Sequence, residues 1–556
     1  MTRAGEPVRQ HESARRPEAP RAALWRAVGV ILAGAVAVTA LIGAGGDFPL
    51  SDDWSYAYTA RGLCETGELR FLPWTGASVV LQAWYGAALC ALLGFSFTAL
   101  RASTLVLATL GAIGFLLMLR HAGVRGGALA LGSVLFALNP LYVNLAFTFM
   151  TDVPFTVAAV WAGYCYVRGL GERRTDLLFA GSLAAAASLL IRQHGIFVAG
   201  AAAAAILLAA DRSWRQRVAG TVAATALPAL AFVAFHVWLF YLHGAPAGYQ
   251  TKIGDARHLT FAGLANCAFR GIEYLGLFLC PLAVDLARPL RLRHPRLATL
   301  WCAGLVTLVV ALYLREGALM FYLTNVLYDF GLGALSLRDT LFLALRPAVE
   351  LGPALALPLT AIATLAAAIL AVAWTADLAR LRSPVPAFLL LAFAFLFAGT
   401  LLHARYYFDR YLLAVLPFAL AATLALRPVA PQSPRAWALA ALLAWYAIAG
   451  THDYLAWNRA RHAGLATLTA AGVPATAIDG GMEFNAWHLA ATLGSWPTAD
   501  EARPGQPLSK RSWWWVVDDR FVASFRPLPG YVVRQALPYR RWLPPGTGRV
   551  VILERE

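Results

Sequence analysis

Along most of this chain the hydrophobic residues neither alternate nor return every three or four positions; they run on, broken by short polar turns. A helix needs roughly 20 consecutive apolar residues to cross a hydrocarbon layer about 30 Å thick. Reading for such stretches predicts about thirteen membrane helices, near 26–46, 99–119, 128–147, 153–170, 177–194, 196–210, 218–242, 271–287, 297–314, 351–376, 385–402, 411–426 and 435–450. The run 196–210 is short for a span, and 177–210 could be divided otherwise. The first run is longer than the apolar part of a secretory signal, so it reads as a retained span.

The polar turns fall into two sets. One is short and arginine-rich: Arg120 and Arg125; Arg168, Arg173 and Arg174; Arg212, Arg215 and Arg217; Arg288, Arg291, Arg293 and Arg296; Arg380 and Arg382; Arg427 with Arg435. Together with the arginines before the first run, all lie on one side, which the positive-inside tendency makes the cytoplasm. The other side receives 47–98, 243–270, 315–350 and everything after 450. The expected organisation is a disordered cytoplasmic tail (1–24), a transmembrane domain (25–450) and an extracytoplasmic domain (451–556), in a bacterial cytoplasmic (inner) membrane.

Two outer segments carry their own patterns. Within 47–98, the stretches 54–65 and 81–93 each have an apolar and a wetter face, as helices lying on a membrane surface do. After 450, helical patterns (453–471, 483–493) alternate with β-like runs at 475–478, 513–517, 531–533 and 549–553. The fold class expected is an all-α polytopic membrane protein with outer juxtamembrane helices and a small C-terminal α/β domain.

Composition closes the other routes. Apolar residues make up 59% of the 556 and charged residues 14%, too few charges to cover a soluble protein of this size. Such a chain is not disordered either. Six cysteines, mostly inside apolar runs, do not make a disulfide scaffold. The net charge of +16 sits in turns rather than on one patch with a binding motif, so no nucleic-acid partner is expected. Only Lys252 and Lys510 are lysines. No phosphate-binding glycine string and no His/Cys metal cluster is present. An enzyme working on the outer face, away from nucleotide-activated donors, needs a donor carried by the membrane itself.

Ionisable groups near a bilayer are costly unless paired or wet, so those at helix ends are the candidates for chemistry. Asp52 and Asp53 follow the first span; one could accept a proton from a nucleophile while the other holds a substrate, or both could simply cap a helix. Asp152, before Pro154, reads equally as a helix start. Arg192, on the arginine-poor side and followed by Gln193-His194-Gly195, calls for an anionic partner, either Asp152 or a lipid phosphate. Arg405 and Arg410 stand among aromatics in 403–411, where they could grip a phosphate, stack on a sugar, or form an interfacial belt. Tyr249, Lys252, Asp255 and Arg257, with Asp479, Glu483 and Trp487 of the tail, are candidate acceptor contacts.

These strings, in this order, resemble the polytopic GT-C glycosyltransferases, in the branch of protein O-mannosyltransferases, lipid A aminoarabinose transferases and galacturonosyltransferases acting on lipopolysaccharide. The resemblance rests on Asp52-Asp53-Trp54-Ser55-Tyr56-Ala57, Leu93-Gly94 leading to Leu100-Arg101, and Thr151-Asp152-Val153-Pro154. Leu190-Ile191-Arg192-Gln193-His194-Gly195 and Arg410-Tyr411-Leu412-Leu413 with Leu416-Pro417 complete it. It implies inverting transfer of a sugar from a polyprenyl phosphate to an extracytoplasmic acceptor (envelope glycan, lipid or protein). Asp52 is then the base and Asp53 orients substrates beside it. Arg192 and Arg410 stabilise the departing lipid phosphate, while Asp152, Tyr56, Arg101, Gln193 and Arg405 line the substrates. The family's second acid is often Glu. Its Lys-Pro-Pro or His-Pro string is absent, Ser78-Val79-Val80-Leu81-Gln82 standing there, so donor contacts on that side do not carry over. No cofactor or metal is expected, although relatives differ in metal dependence. The rival readings are a secondary transporter, which would place acids in mid-span and show related halves, and a non-catalytic glycan-assembly protein of the same fold.

Overall fold

The computed structural model describes residues 21–317, 325–343, 345, 350–376, 381–427, 433–493, 515 and 518–556. The expected tail up to residue 20 and all but Trp515 of the predicted strand 513–517 lie outside the described residues.

Every one of the predicted apolar runs is helical. In chain order the helices are α1 (Arg21–Ile42), α2 (Asp53–Thr66), α3 (Val80–Leu93), α4 (Phe97–His121), α5 (Gly126–Ala137), α6 (Pro140–Ala146), α7 (Asp152–Gly171), α8 (Thr175–Ile191) and α9 (Ile196–Leu208). They continue with α10 (Trp214–Val237), α11 (Ala247–Ala256), α12 (Phe261–Arg293), α13 (Pro295–Glu316), α14 (Pro353–Thr375), α15 (Pro384–Leu401), α16 (Leu416–Leu426), α17 (Pro434–Ala470) and α18 (Met482–Leu493). Among the described residues eight helices are long and apolar enough to cross a membrane, nine if α5 and α6 form one span bent by 49°. The expected count of thirteen is not confirmed by length and composition alone, three further apolar helices being shorter than a full span. Asn139 caps α6 by accepting from the Leu141 amide, and Pro140 has no N–H to continue the α5 ladder, so the run breaks there. The region 177–210 divides at Arg192–Gly195 into two short helices.

Helices α2 and α3 match the two surface-lying patterns of the first outer loop, and Gly67, at φ +73, lets the chain turn out of α2. The predicted last span and the predicted helix 453–471 prove to be one element, the 37-residue α17, which leaves the apolar bundle and becomes the backbone of the C-terminal domain. That domain's strands are β3 (Ile478–Asp479), β4 (Phe521–Ser524), β5 (Tyr531–Trp542) and β6 (Pro545–Arg555). A separate hairpin, β1 (Leu327–Tyr328) and β2 (Gly331–Leu332), precedes them. The sheet order is β3-β4-β6-β5, with β3 and β4 parallel and the other pairs antiparallel. Strand β4 escaped the sequence reading, and most of 475–478 is a 3-10 turn rather than strand. The span Asp409–Leu426 is enclosed on nearly all sides, while α1 and α13 lie at the periphery.

Candidate functional site

The site begins where α1 hands over to α2. Asp52 stands at the N-cap position of α2 but makes no capping hydrogen bond. Its carboxylate instead accepts from Trp74 Nε1 at 3.2 Å and from Arg410 Nη2 at 2.9 Å, and its side chain keeps 16% exposure. Capping does not account for Asp52. Asp53 turns the other way and is 1% exposed. One oxygen accepts from the Leu50 amide at 2.7 Å and the other from the Phe149 amide at 3.1 Å. Asp53, expected to orient substrates, instead staples the first outer loop to the turn before α7, and Asp52 is the member of the pair whose carboxylate stays partly exposed.

Burial pushes the Asp53 carboxyl up to about 7, against the pull of its two amides. The folded chain therefore holds this proton more tightly than the unfolded one. The associated stability is complete below about pH 4 and is lost as pH rises through about 7. Asp53→Ala strands both amides, at about 1–3 kcal/mol each. Thermal unfolding in detergent should show a lower midpoint for this variant and a weaker pH dependence across that window.

Opposite Asp52 lies a second ion pair. Arg192, in extended backbone at the end of α8, pairs with Asp152 at 3.1 Å and donates from Nε to Thr151 Oγ1 at 2.7 Å. The anionic partner expected for Arg192 is thus Asp152 at the start of α7. Arg192 and Arg410 lie over the same ring, Tyr411, at 5.7 and 5.8 Å from its centroid. Asp409 accepts the amides of Val326 and Leu327, which anchors the turn carrying Arg410 to the β1–β2 hairpin. Arg410 itself is 6% exposed, and its Nε and Nη1 are buried without a hydrogen-bond partner among the described residues. Unmet donors on a buried guanidinium are expensive, and an anionic oxygen is what satisfies them.

Lys252, expected among the acceptor contacts, lies beside the same charged groups. Helix α11 docks on the first outer loop, the Gly248 amide donating to Pro73 O at 2.7 Å and Lys252 Nζ to Gly76 O at 3.0 Å. A Cβ on Gly76 would lie 2.7 Å from the lysine's Cε and would push the end of that side chain aside. The ammonium is pulled down to about 7 by burial and by Arg192 and Arg410, while Asp52 and Asp152 act in the opposite sense. It carries charge below that value and loses it above. Inorganic phosphate should therefore bind the parent chain about tenfold less tightly as pH rises through 7, relative to Lys252→Met. Binding isotherms of both proteins, compared pH by pH, cancel the phosphate's own titration. His403, with its ring 5.0 Å from that of His194, is held neutral, down to about 2, by burial, by His194 and by the same cations.

The remaining expected contacts divide. Tyr56 is buried among the four charged groups, and burial with Asp52 beside it pushes its phenol up to about 12. Gln193 follows Arg192, with its Oε1 buried and unpartnered among the described residues. Two arginines are not where they were expected. Arg101 is buried and spends its guanidinium on the carbonyls of Ala44, Gly46 and Phe48, clamping the exit from α1 rather than a substrate. Arg405 pairs with Asp255 of α11 at 2.8 Å and is exposed, outside the Asp52–Arg410 cluster. Asp479 and Glu483 are buried, and Trp487 stacks on Phe95. Among the described residues no three His, Cys, Asp or Glu side chains gather as metal donors.

Residues 79–241 match the dolichyl-phosphate-mannose-protein mannosyltransferase family. The match includes Asp152 and Arg192; Asp52, Lys252 and Arg410 lie beyond it. It bears out the resemblance to the GT-C superfamily of polytopic glycosyltransferases. Among solved structures, the chain is similar to the S. cerevisiae protein O-mannosyltransferase Pmt1-Pmt2 complex bound to the sugar donor. The identity there is 18% over 40% of this chain and 34% of that one, with a TM-score of 0.30, so the chain spans about a third of that relative. Apo ArnT from Cupriavidus metallidurans is 16% identical over 96% of this chain and 98% of that one, with a TM-score of 0.34. The same protein bound to undecaprenyl phosphate is 16% identical over 76% and 78%, with a TM-score of 0.32. No curated protein matches.

Proposed function

We propose that the chain is an inverting glycosyltransferase that moves a sugar from a polyprenyl phosphate to an acceptor on the non-cytosolic side of a bacterial inner membrane. The observation that carries this reading is the juxtaposition of one part-exposed carboxylate, Asp52, with Arg410, whose unmet donors sit in a cluster that Arg192 and Lys252 also charge. Three cations face two acids, and the surplus suits a phosphate group.

In the reaction, the acceptor hydroxyl gives its proton to Asp52 as its oxygen attacks the anomeric carbon. The bond from that carbon to the phosphate oxygen breaks on the opposite face, which inverts the centre. The polyprenyl phosphate leaves with one more negative charge, which Arg410, Lys252 and Arg192 stabilise where water is scarce. The donor's phosphate takes the unmet Nε and Nη1 of Arg410, which weakens that arginine's hold on Asp52 and lets the carboxylate turn to the acceptor. Asp152 keeps Arg192 in place, and Tyr56 is buried beside Asp52. The arginine-rich turns on the opposite face support an outward-facing site.

The direct test incubates the purified chain with radiolabelled polyprenyl-phosphate sugars and an envelope extract. Label should move to an acceptor. Uptake of the sugar into proteoliposomes with no covalent transfer would mark a transporter instead, and thiol labelling of Asp52→Cys from the cytosolic side only would reverse the orientation.

A further inference from the structure

Ser51, the residue before the reactive carboxylate, sits at φ +55, a region costly for any residue but glycine. Its amide leaves the first outer loop to donate to Glu483 Oε1 at 3.2 Å, on α18 of the C-terminal domain. The other carboxylate oxygen of Glu483 accepts from Arg461 Nη1 of α17 at 2.9 Å and from the Ser336 hydroxyl. The side chains of Arg461 and Glu483 are both at 0% exposure. The Met482 amide closes the junction on Ser336 O at 3.0 Å. Three other segments, around Ser51, Ser336 and Arg461, thus converge on the Glu483 carboxylate. A charge pair buried so deeply commonly stabilises little more than apolar residues of the same size would, while removing one partner is costly.

We propose that Glu483 is a positioning residue for Asp52. The C-terminal domain holds the backbone angle at Ser51, and with it the direction in which the Asp52 carboxylate leaves the chain toward Trp74 and Arg410. The catalytic consequence rests on the glycosyl-transfer reading above; the geometric one does not. A residue that acts only by aiming another should alter turnover and leave donor binding alone, since Arg192, Lys252 and Arg410 reach the cluster from other elements.

Full-length Glu483→Gln in nanodiscs keeps the side chain's shape while losing its charge. It should transfer about 10²-fold more slowly, with the donor KM and the Kd for undecaprenyl phosphate unchanged. Glycine accepts φ +55 without strain, so adding Ser51→Gly should restore about tenfold of that loss. Transfer at the parental rate would overturn the proposal. So would a loss that Ser51→Gly leaves untouched while undecaprenyl phosphate binding falls in parallel, the mark of a fold defect. Should the parent itself move no sugar, the reading of function fails. The positioning claim is then decided by the rate at which an impermeant maleimide labels Asp52→Cys: a change of about tenfold on adding Glu483→Gln supports it, and an unchanged rate refutes it.

Discussion

Replacing Asp52 by Asn is expected to lower sugar transfer by about 10³-fold, within the range that a positioned general base contributes. Asn keeps the size of the side chain and an oxygen for Trp74 Nε1, so the loss should fall on turnover. Binding of undecaprenyl phosphate should hold or tighten slightly, because Arg410 is released from its acidic partner. The informative comparison is with Asp53, one residue on. Its carboxylate is spent on the amides of Leu50 and Phe149, so its replacement should reduce the amount of folded protein before it reduces the rate per folded molecule. Single-turnover transfer, normalised to folded protein, separates the two. A full rate in Asp52→Asn would remove the base from the mechanism.

The second large effect is expected at Arg410. Arg410→Gln should cost about 10²–10³-fold in kcat/KM, the scale on which a preorganised donor to a developing anion matters. Arg410→Lys should recover little of it. A lysine could replace the charge opposite Asp52, but not a planar group that meets Asp52 through one nitrogen and keeps others for a second anion while lying over Tyr411. Arg192→Gln should lose less transfer and more stability, because it leaves Asp152 buried without its partner, a change that commonly costs about 3–5 kcal/mol. Initial rates against donor concentration, with unfolding curves for the same preparations, check both.

Much of this architecture was readable because lipid imposes a simple grammar. A stretch of apolar residues long enough to span has few other uses, and each predicted stretch is helical. The number of spans was less readable, since Asn139-Pro140 and Arg192–Gly195 interrupt helices inside continuous apolar runs. In the site, Asp52, Asp152, Arg192 and Arg410 stood out as charges placed at helix ends beside the bilayer. Sequence could not say which carboxylate of an adjacent pair faces inward, because that depends on the amides of Leu50 and Phe149, and Phe149 lies 96 residues away from Asp53. Arg101 misled for a similar reason: its partners are backbone carbonyls, which every residue has. Lys252 was visible as one of only two lysines, yet its place in the cluster depends on α11 docking against Pro73 and Gly76. The outer domain's long hairpin showed its β pattern, whereas the four residues of β4 are too few to declare one.

The 37-residue α17 has no proline beyond its first turn and is about 55 Å long. It carries Arg461 some 40 Å from its N-terminal end, by the rise of 1.5 Å per residue. A rod that stiff couples the lean of a buried helix to the seating of the domain above it. Spans longer than the lipid layer can answer by leaning, so a change of acyl-chain length would reach the domain that seats Ser51 through this one helix.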